Sequence, residues 1–129
     1  MESIFSKIVK GEIPCYKIAE NDDFLAFLDI FPLTKGHALI IPKNAVDYLF
    51  DLEDELLAKM MVFSKHVAHQ IQAAIPCKRI GVAVIGFEVA HAHIHLIPIN
   101  ETQDMNFENP KLKFTSAEFI EIAKKISSK

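Results

Sequence analysis

Three of the six histidines in this 129-residue chain stand at alternate positions, His91, His93 and His95. On an extended strand alternate residues face the same side. The spacing predicts three imidazoles in a row on one face of a strand over residues 90–98, with Ala92, Ile94 and Leu96 on the core side. Three uses of such a row are open. It can be a solvated strand face, although three polar rings in line are hard to justify by packing. It can hold a metal, since two histidines at i and i+2 on a strand can share one zinc. The outer Cα atoms would then lie roughly 13 Å apart, while an imidazole and its metal bond reach about 6.5 Å, so the outer rings would approach from opposite sides. The third use is nucleophilic attack on phosphorus. A neutral imidazole with one nitrogen held as N–H presents a lone pair on the other, and a neighbouring ring can hydrogen-bond the phosphate or help the leaving group depart.

The elements that would position this row are legible from pattern. Ile4, Phe5, Ile8 and Val9 fall on one face of a short helix that Gly11 stops. Apolar runs at 16–19 and 24–28 flank a polar cluster at 20–23 and read as a hairpin. Residues 37–42 read as a buried strand ended by Pro42. Leu56, Met60, Phe63, Val67, Ile71 and Ala74 recur at helical spacing, with Asp51 as the expected cap and Pro76 as the stop. The β-branched stretch 79–85 predicts a central strand, followed by a tight turn at Gly86, Phe87 and Glu88 and then the histidine strand. Residues 100–113 read as a polar arm. Thr115 and Glu118 form a capping box for a last helix through Ile126, with Phe119, Ile122 and Ile126 on one side. The bland reading of that helix is packing on the sheet. His66 and His69 on the long helix are expected at the surface. The fold class is α+β, a mainly antiparallel sheet with one long helix and a C-terminal helix, in one domain over 1–129.

Composition narrows the function. The net charge of −3 argues against nucleic acid as a main partner. No apolar run approaches the ~20 residues of a membrane span, and the opening MESIFSKIVKGEIP lacks the layout of a signal peptide. Two cysteines, Cys15 and Cys77, exclude a disulfide framework and suggest a reducing, cytoplasmic setting.

The run from His91 to Pro98 resembles the signature of the histidine triad (HIT) family, His-φ-His-φ-His-φ-φ. The likeness extends to residues 3–8, to 27–30 and to 36–43. Residues 1–98 resemble the family core, most of all the Hint-like branch of small bacterial members, and 99–129 diverge. The resemblance implies a homodimer with a sheet continued between subunits. It also implies a nucleotide hydrolase or transferase acting on purine nucleoside phosphoramidates or related nucleotidyl compounds through a covalent nucleotidyl-histidine. No cofactor is expected, because the imidazole supplies the nucleophile. His93 matches the nucleophile, His95 the group that hydrogen-bonds the phosphate or leaving group, and His91 the member that orients the row. Asp29 matches the acid on the ribose hydroxyls; read by itself, it is also a turn residue capping Phe31 and Pro32. Ile4, Phe5, Ile8, Phe27 and Ile30 match the base pocket, with Glu88 and Val89 on the loop beside it. His37 is read as a supporting or structural group.

The chain departs from the family pattern in three places. Some members hold structural zinc through Cys-x-x-Cys and a later histidine; here the positions are Ser3, Ser6 and Ala45, so that zinc is not expected. The family's phosphate-clamping Asn and Gly-Gln-Ser/Thr loop give way to residues 85–90, with no Asn, Gln, Ser or Thr and with Glu88 near the Ser/Thr place. A carboxylate there would repel phosphate by about 1 kcal/mol at 4 Å in water. The third departure is the tail. Two readings stand as alternatives to the covalent-histidine enzyme, a nucleotide-binding module with weak or lost catalysis and a metal-dependent hydrolase using the histidine row.

Overall fold

The computed structural model describes residues 2–129. A single five-stranded antiparallel sheet organises them, in the order β1-β2-β3-β5-β4. The strands are β1 (Lys17–Glu20), β2 (Phe24–Leu28), β3 (Ala38–Pro42), β4 (Arg79–Ala83) and β5 (Ile94–Ile99). Helix α1 (Ile4–Val9) lies at one end of the sheet's site face, and α2 (Asp54–Ala74) and α3 (Ser116–Ser127) pack on the other.

Side-chain alternation divides the core. Phe24, Ala26 and Leu28 of β2, Ala38 and Ile40 of β3, and Ile94 and Leu96 of β5 join Met60, Val67 and Ile71 of α2 in one cluster. The intervening residues Leu25, Phe27, Leu39 and Ile41 face the opposite side and pack with Phe5 of α1. β2 and β3 are therefore buried on both faces, as their near-continuous apolar sequences require. The histidine-bearing segment follows the same parity, so its rings emerge on the Phe5 side.

Several expectations need correction. Asp51 does not cap α2; it ends a short 3₁₀ turn, Leu49–Asp51, and Glu53 occupies the cap position without a side-chain bond. The stretch 79–85 is not a central strand. β4 ends at Ala83 and pairs only with β5, which leaves it at the sheet edge with Val82 about half exposed. Its apolar character matches a surface, not the interior. The histidine strand is shorter than predicted: β5 begins at Ile94, so His91 and His93 lie in the entering segment and only His95 is in the ladder. There His91 N–H bonds the Val89 carbonyl and Ala92 N–H the Val46 carbonyl, contacts a regular strand would not make.

Other expectations hold. The capping box at Thr115 is formed, and the structure adds a second at Ser3 that was not expected. His66 and His69 are exposed. α3 buries Phe119, Ile122, Ala123 and Ile126 in the main core, the packing role expected of it.

Candidate active site

The three histidine rings are largely buried, His91 fully and His93 and His95 to 7 % and 8 % exposure. The solvated-face reading is thereby removed. His93 and His95 stand 5.0 Å apart between ring centres, and Phe5 meets His93 edge-to-face at 5.1 Å and His91 at 5.9 Å.

Hydrogen bonds assign a tautomer to each ring. His91 Nε2–H donates to the Pro42 carbonyl at 2.7 Å, which leaves Nδ1 to accept from the Ser3 hydroxyl at 2.9 Å. Burial holds this ring neutral by pushing its pKa down, against the Pro42 carbonyl, which raises it. His93 Nδ1–H donates to the His91 carbonyl at 2.8 Å. Its lone pair is therefore on Nε2. Every buried side-chain nitrogen or oxygen among the described residues has a partner, and His93 Nε2 has none, so that atom opens to solvent.

His95 is fixed through His37. The Leu33 backbone N–H donates to His37 Nδ1 at 3.0 Å, so His37 carries its proton on Nε2 and donates it to His95 Nδ1 at 2.9 Å. His95 must then carry its own proton on Nε2, which likewise has no partner and faces out. Burial lowers the pKa of both rings to about 4, aided by Lys111 at His37 and by His37 and His93 at His95, where Asp29 acts in the opposite sense. The row thus presents a lone pair on His93 beside an N–H donor on His95.

Sequence reasoning assigned His37 a supporting place but did not find its partner. The signal was the antiparallel pairing of β2 and β3. Leu28 opposes Ala38, and the next bond, Asp29 N–H to the His37 carbonyl at 3.0 Å, brings Asp29 and His37 side by side. The preceding Gly36 has φ +93°, and a Cβ there would lie 3.1 Å from Ile75 Cγ1. Only glycine meets both demands without strain.

Asp29 serves in two ways. Oδ1 accepts from the Phe31 N–H at 2.8 Å, the turn-capping role, and Oδ2 lies 3.5 Å from His37 Nε2. Phe5 and Phe27 are buried against each other at 5.6 Å, and Ile8 and Val89 pack against them half-buried. Ile4 and Ile30 are about half exposed. Glu88 is exposed in a groove of about 350 Å³ that it shares with Glu2, Ser3, Ile4, Val89 and Ala90.

Two donor sets could be asked to hold a metal. Asp29, His37 and His95 offer atoms within 4.8 Å of one another. The Leu33 N–H occupies His37 Nδ1, so a metal on Nε2 would need that ring as an anion, and the set fits a hydrogen-bond relay instead. At the family's zinc position, Ser3 and Ser6 hydroxyls approach His91 Nδ1 at 2.9 and 3.5 Å. Neutral hydroxyls are poor zinc ligands and here act as donors, so zinc does not fit this set either.

The family model for the HIT domain matches residues 10–102. The chain belongs to the HIT family. This HIT protein is 38 % identical over 135 residues to the adenosine 5′-monophosphoramidase hnt1 of Schizosaccharomyces pombe, covering 100 % of the chain and 98 % of that protein. Among solved structures, a Hit-like protein from Bartonella henselae superimposes with a TM-score of 0.85 at 32 % identity, covering 98 % and 95 % of the two chains. A zinc-bound histidine triad family protein from Mycobacterium smegmatis gives 0.80 at 26 %, covering 99 % and 92 %. The α+β fold read from the sequence is the fold of these neighbours. No helix among the described residues is long and apolar enough to cross a membrane.

Proposed function

We propose that this HIT protein is a nucleotide hydrolase or transferase that cleaves purine nucleoside phosphoramidates, or related nucleotidyl compounds, through a covalent nucleotidyl group on His93. The observation that carries the reading is the His93 tautomer: Nδ1–H is committed to the His91 carbonyl and Nε2 is open. A relative named adenosine 5′-monophosphoramidase supports the substrate class.

In the first step His93 Nε2 forms a bond to phosphorus and the phosphorus–nitrogen bond to the leaving amine breaks. The amine departs with a proton taken from solvent. The charge developing on the His93 ring is stabilised at Nδ1–H by the His91 carbonyl dipole, which His91 holds in place through its bonds to Ser3 and Pro42. His95 Nε2–H donates to the phosphate or the leaving group. Water then attacks phosphorus, the bond to His93 breaks, and the nucleoside monophosphate leaves as a proton returns to solvent. Asp29 Oδ2 is the acceptor for ribose hydroxyls, and Phe5, Phe27, Ile8 and Val89, with Ile4 and Ile30 at the rim, form the base pocket.

The proposal includes a homodimer built by extending the sheet across β4. Its outer edge is unpaired among the described residues, and Ile80 and Val82 line an apolar groove with Met61, Val62 and Ala68. It also includes a cytoplasmic location, which suits the free thiols Cys15 and Cys77.

The test is metal-free incubation with an adenosine or guanosine phosphoramidate, following release of the monophosphate, with His93→Ala alongside. Release that depends on His93 supports the mechanism. Undiminished release by His93→Ala refutes it, and binding of the monophosphate without release supports the binding module.

A further inference from the structure

Most of the arm over residues 100–113 lies beyond the HIT-domain match at 10–102, yet it reaches the active site. It carries a 3₁₀ turn, Thr102–Met105, and is tied down along its length. Met105 Sδ fills the space over Gly81, where an added Cβ would stand 2.5 Å away. Gln103 and Asn109 bond each other twice, and Lys111 Nζ donates to the carbonyls of Phe107 and Asn109. The Leu112 N–H then bonds the Pro32 carbonyl at 2.9 Å, pinning the arm beside the turn that follows Asp29. Between these anchors Phe107 is half-buried, with its ring 5.0 Å from His95 at 75° and 6.3 Å from His37 at 82°. Both contacts are edge-to-face.

We infer that Phe107 is a positioning residue: its ring closes the arm-side flank of the His37 and His95 rings and holds His95 with Nε2–H directed out to the substrate. The geometry around His95 leaves this flank to Phe107. His93 occupies one side at 5.0 Å, His37 bonds Nδ1, and Leu39 and Ala83 are its ladder neighbours on β3 and β5's other partner, β4. Without the ring, water gains access to a 2.9 Å bond between two neutral imidazoles, and water can donate to or accept from either nitrogen. The single tautomer is then no longer enforced. The charged and titratable groups bearing on His95 are His37, His93 and Asp29, with Lys111 beyond His37. Phe107 adds no charge, so it acts by excluding water and by fixing the ring. The effect on turnover rests on the role proposed for His93, whereas the His95 tautomer does not.

The experiment compares Phe107→Ala, Phe107→Leu and Phe107→Tyr with the parent by imidazole ¹⁵N shifts and by steady-state turnover of an adenosine phosphoramidate. In the parent, His95 is expected as a single Nε2–H tautomer. Phe107→Ala is expected to show averaged His95 nitrogen shifts and a kcat about tenfold lower, with KM changed less than about twofold. Phe107→Leu, which keeps apolar volume without the ring, should shift both readouts the same way, and serves if the alanine variant fails to fold. Phe107→Tyr restores the ring and should restore both. Unchanged His95 nitrogen shifts in folded Phe107→Ala or Phe107→Leu would overturn the inference, whether or not the protein turns over phosphoramidates. A lower melting temperature with parental shifts and kcat would show Phe107 to be only an anchor for the arm.

Discussion

Acidification should unfold this protein early, and the His37/His95 pair sets the size of the effect. Both rings are neutral and buried, with pKa values lowered from 6.5 to about 4. Above pH 6.5 neither the folded nor the unfolded chain charges them, so their contribution to stability is complete. Below that the unfolded chain binds protons that the folded chain refuses, and stability falls until the pH passes about 4. For a single ring with these two values, the loss from pH 7 to pH 5 is about 2 kcal/mol. The two rings share one hydrogen bond and part of the His95 shift is the charge of His37, so the pair is expected to lose about 2–4 kcal/mol. His91, also shifted down by burial, adds a loss of the same sign. The carboxylates of Glu2 and Glu20, held down by their lysine partners, lose stability in the same direction as pH falls, chiefly below about pH 5. Urea unfolding at pH 7, 6 and 5, followed by far-ultraviolet circular dichroism, measures the slope directly. A midpoint constant across that range would refute the assignment of two neutral, water-excluded imidazoles, and with it the tautomer relay from Leu33 through His37 to His95.

Further outcomes follow from the same contacts. Ser3→Ala removes the close partner of His91 Nδ1 and leaves only Ser6 at 3.5 Å; a loss of about 1–2 kcal/mol is expected in urea melts. Asp29→Asn keeps an oxygen for the Phe31 N–H but loses the charge; KM for a nucleoside phosphoramidate should rise roughly tenfold with a smaller change in kcat, and an unaltered KM would remove Asp29 from the ribose site. Val82→Lys puts a charge on the exposed face of the edge strand; sedimentation velocity should show monomer in place of the proposed dimer. Glu88→Ser should tighten nucleoside monophosphate binding if the side chain bears on phosphate, and unchanged binding by calorimetry would place Glu88 outside the site.

Sequence alone determined a good deal of this molecule. The HIT motif, the apolar periodicity of α2, the turn residues of the first hairpin and the capping box at Thr115 are local signals. Each depends on residues within a few positions of one another, and each appears in the structure. Even the division between the His face and the core face was legible, because parity along an extended chain is preserved where the strand itself is not regular. Position in the sheet was not legible. The apolar run 79–85 reads alike at the centre or at an edge, and only the pairing of β5 with β3 placed β4 outside. The chemistry of the rings was likewise decided by tertiary contact. A histidine's type and spacing say nothing of which nitrogen holds the proton. That depended on Pro42, Ser3 and Leu33, and on a second histidine far away in sequence, His37 beside His95. Phe107 shows the limit most plainly: in a polar arm it carries no periodic signal, and it acquires a role only because Gly81 and Pro32 anchor that arm against the site.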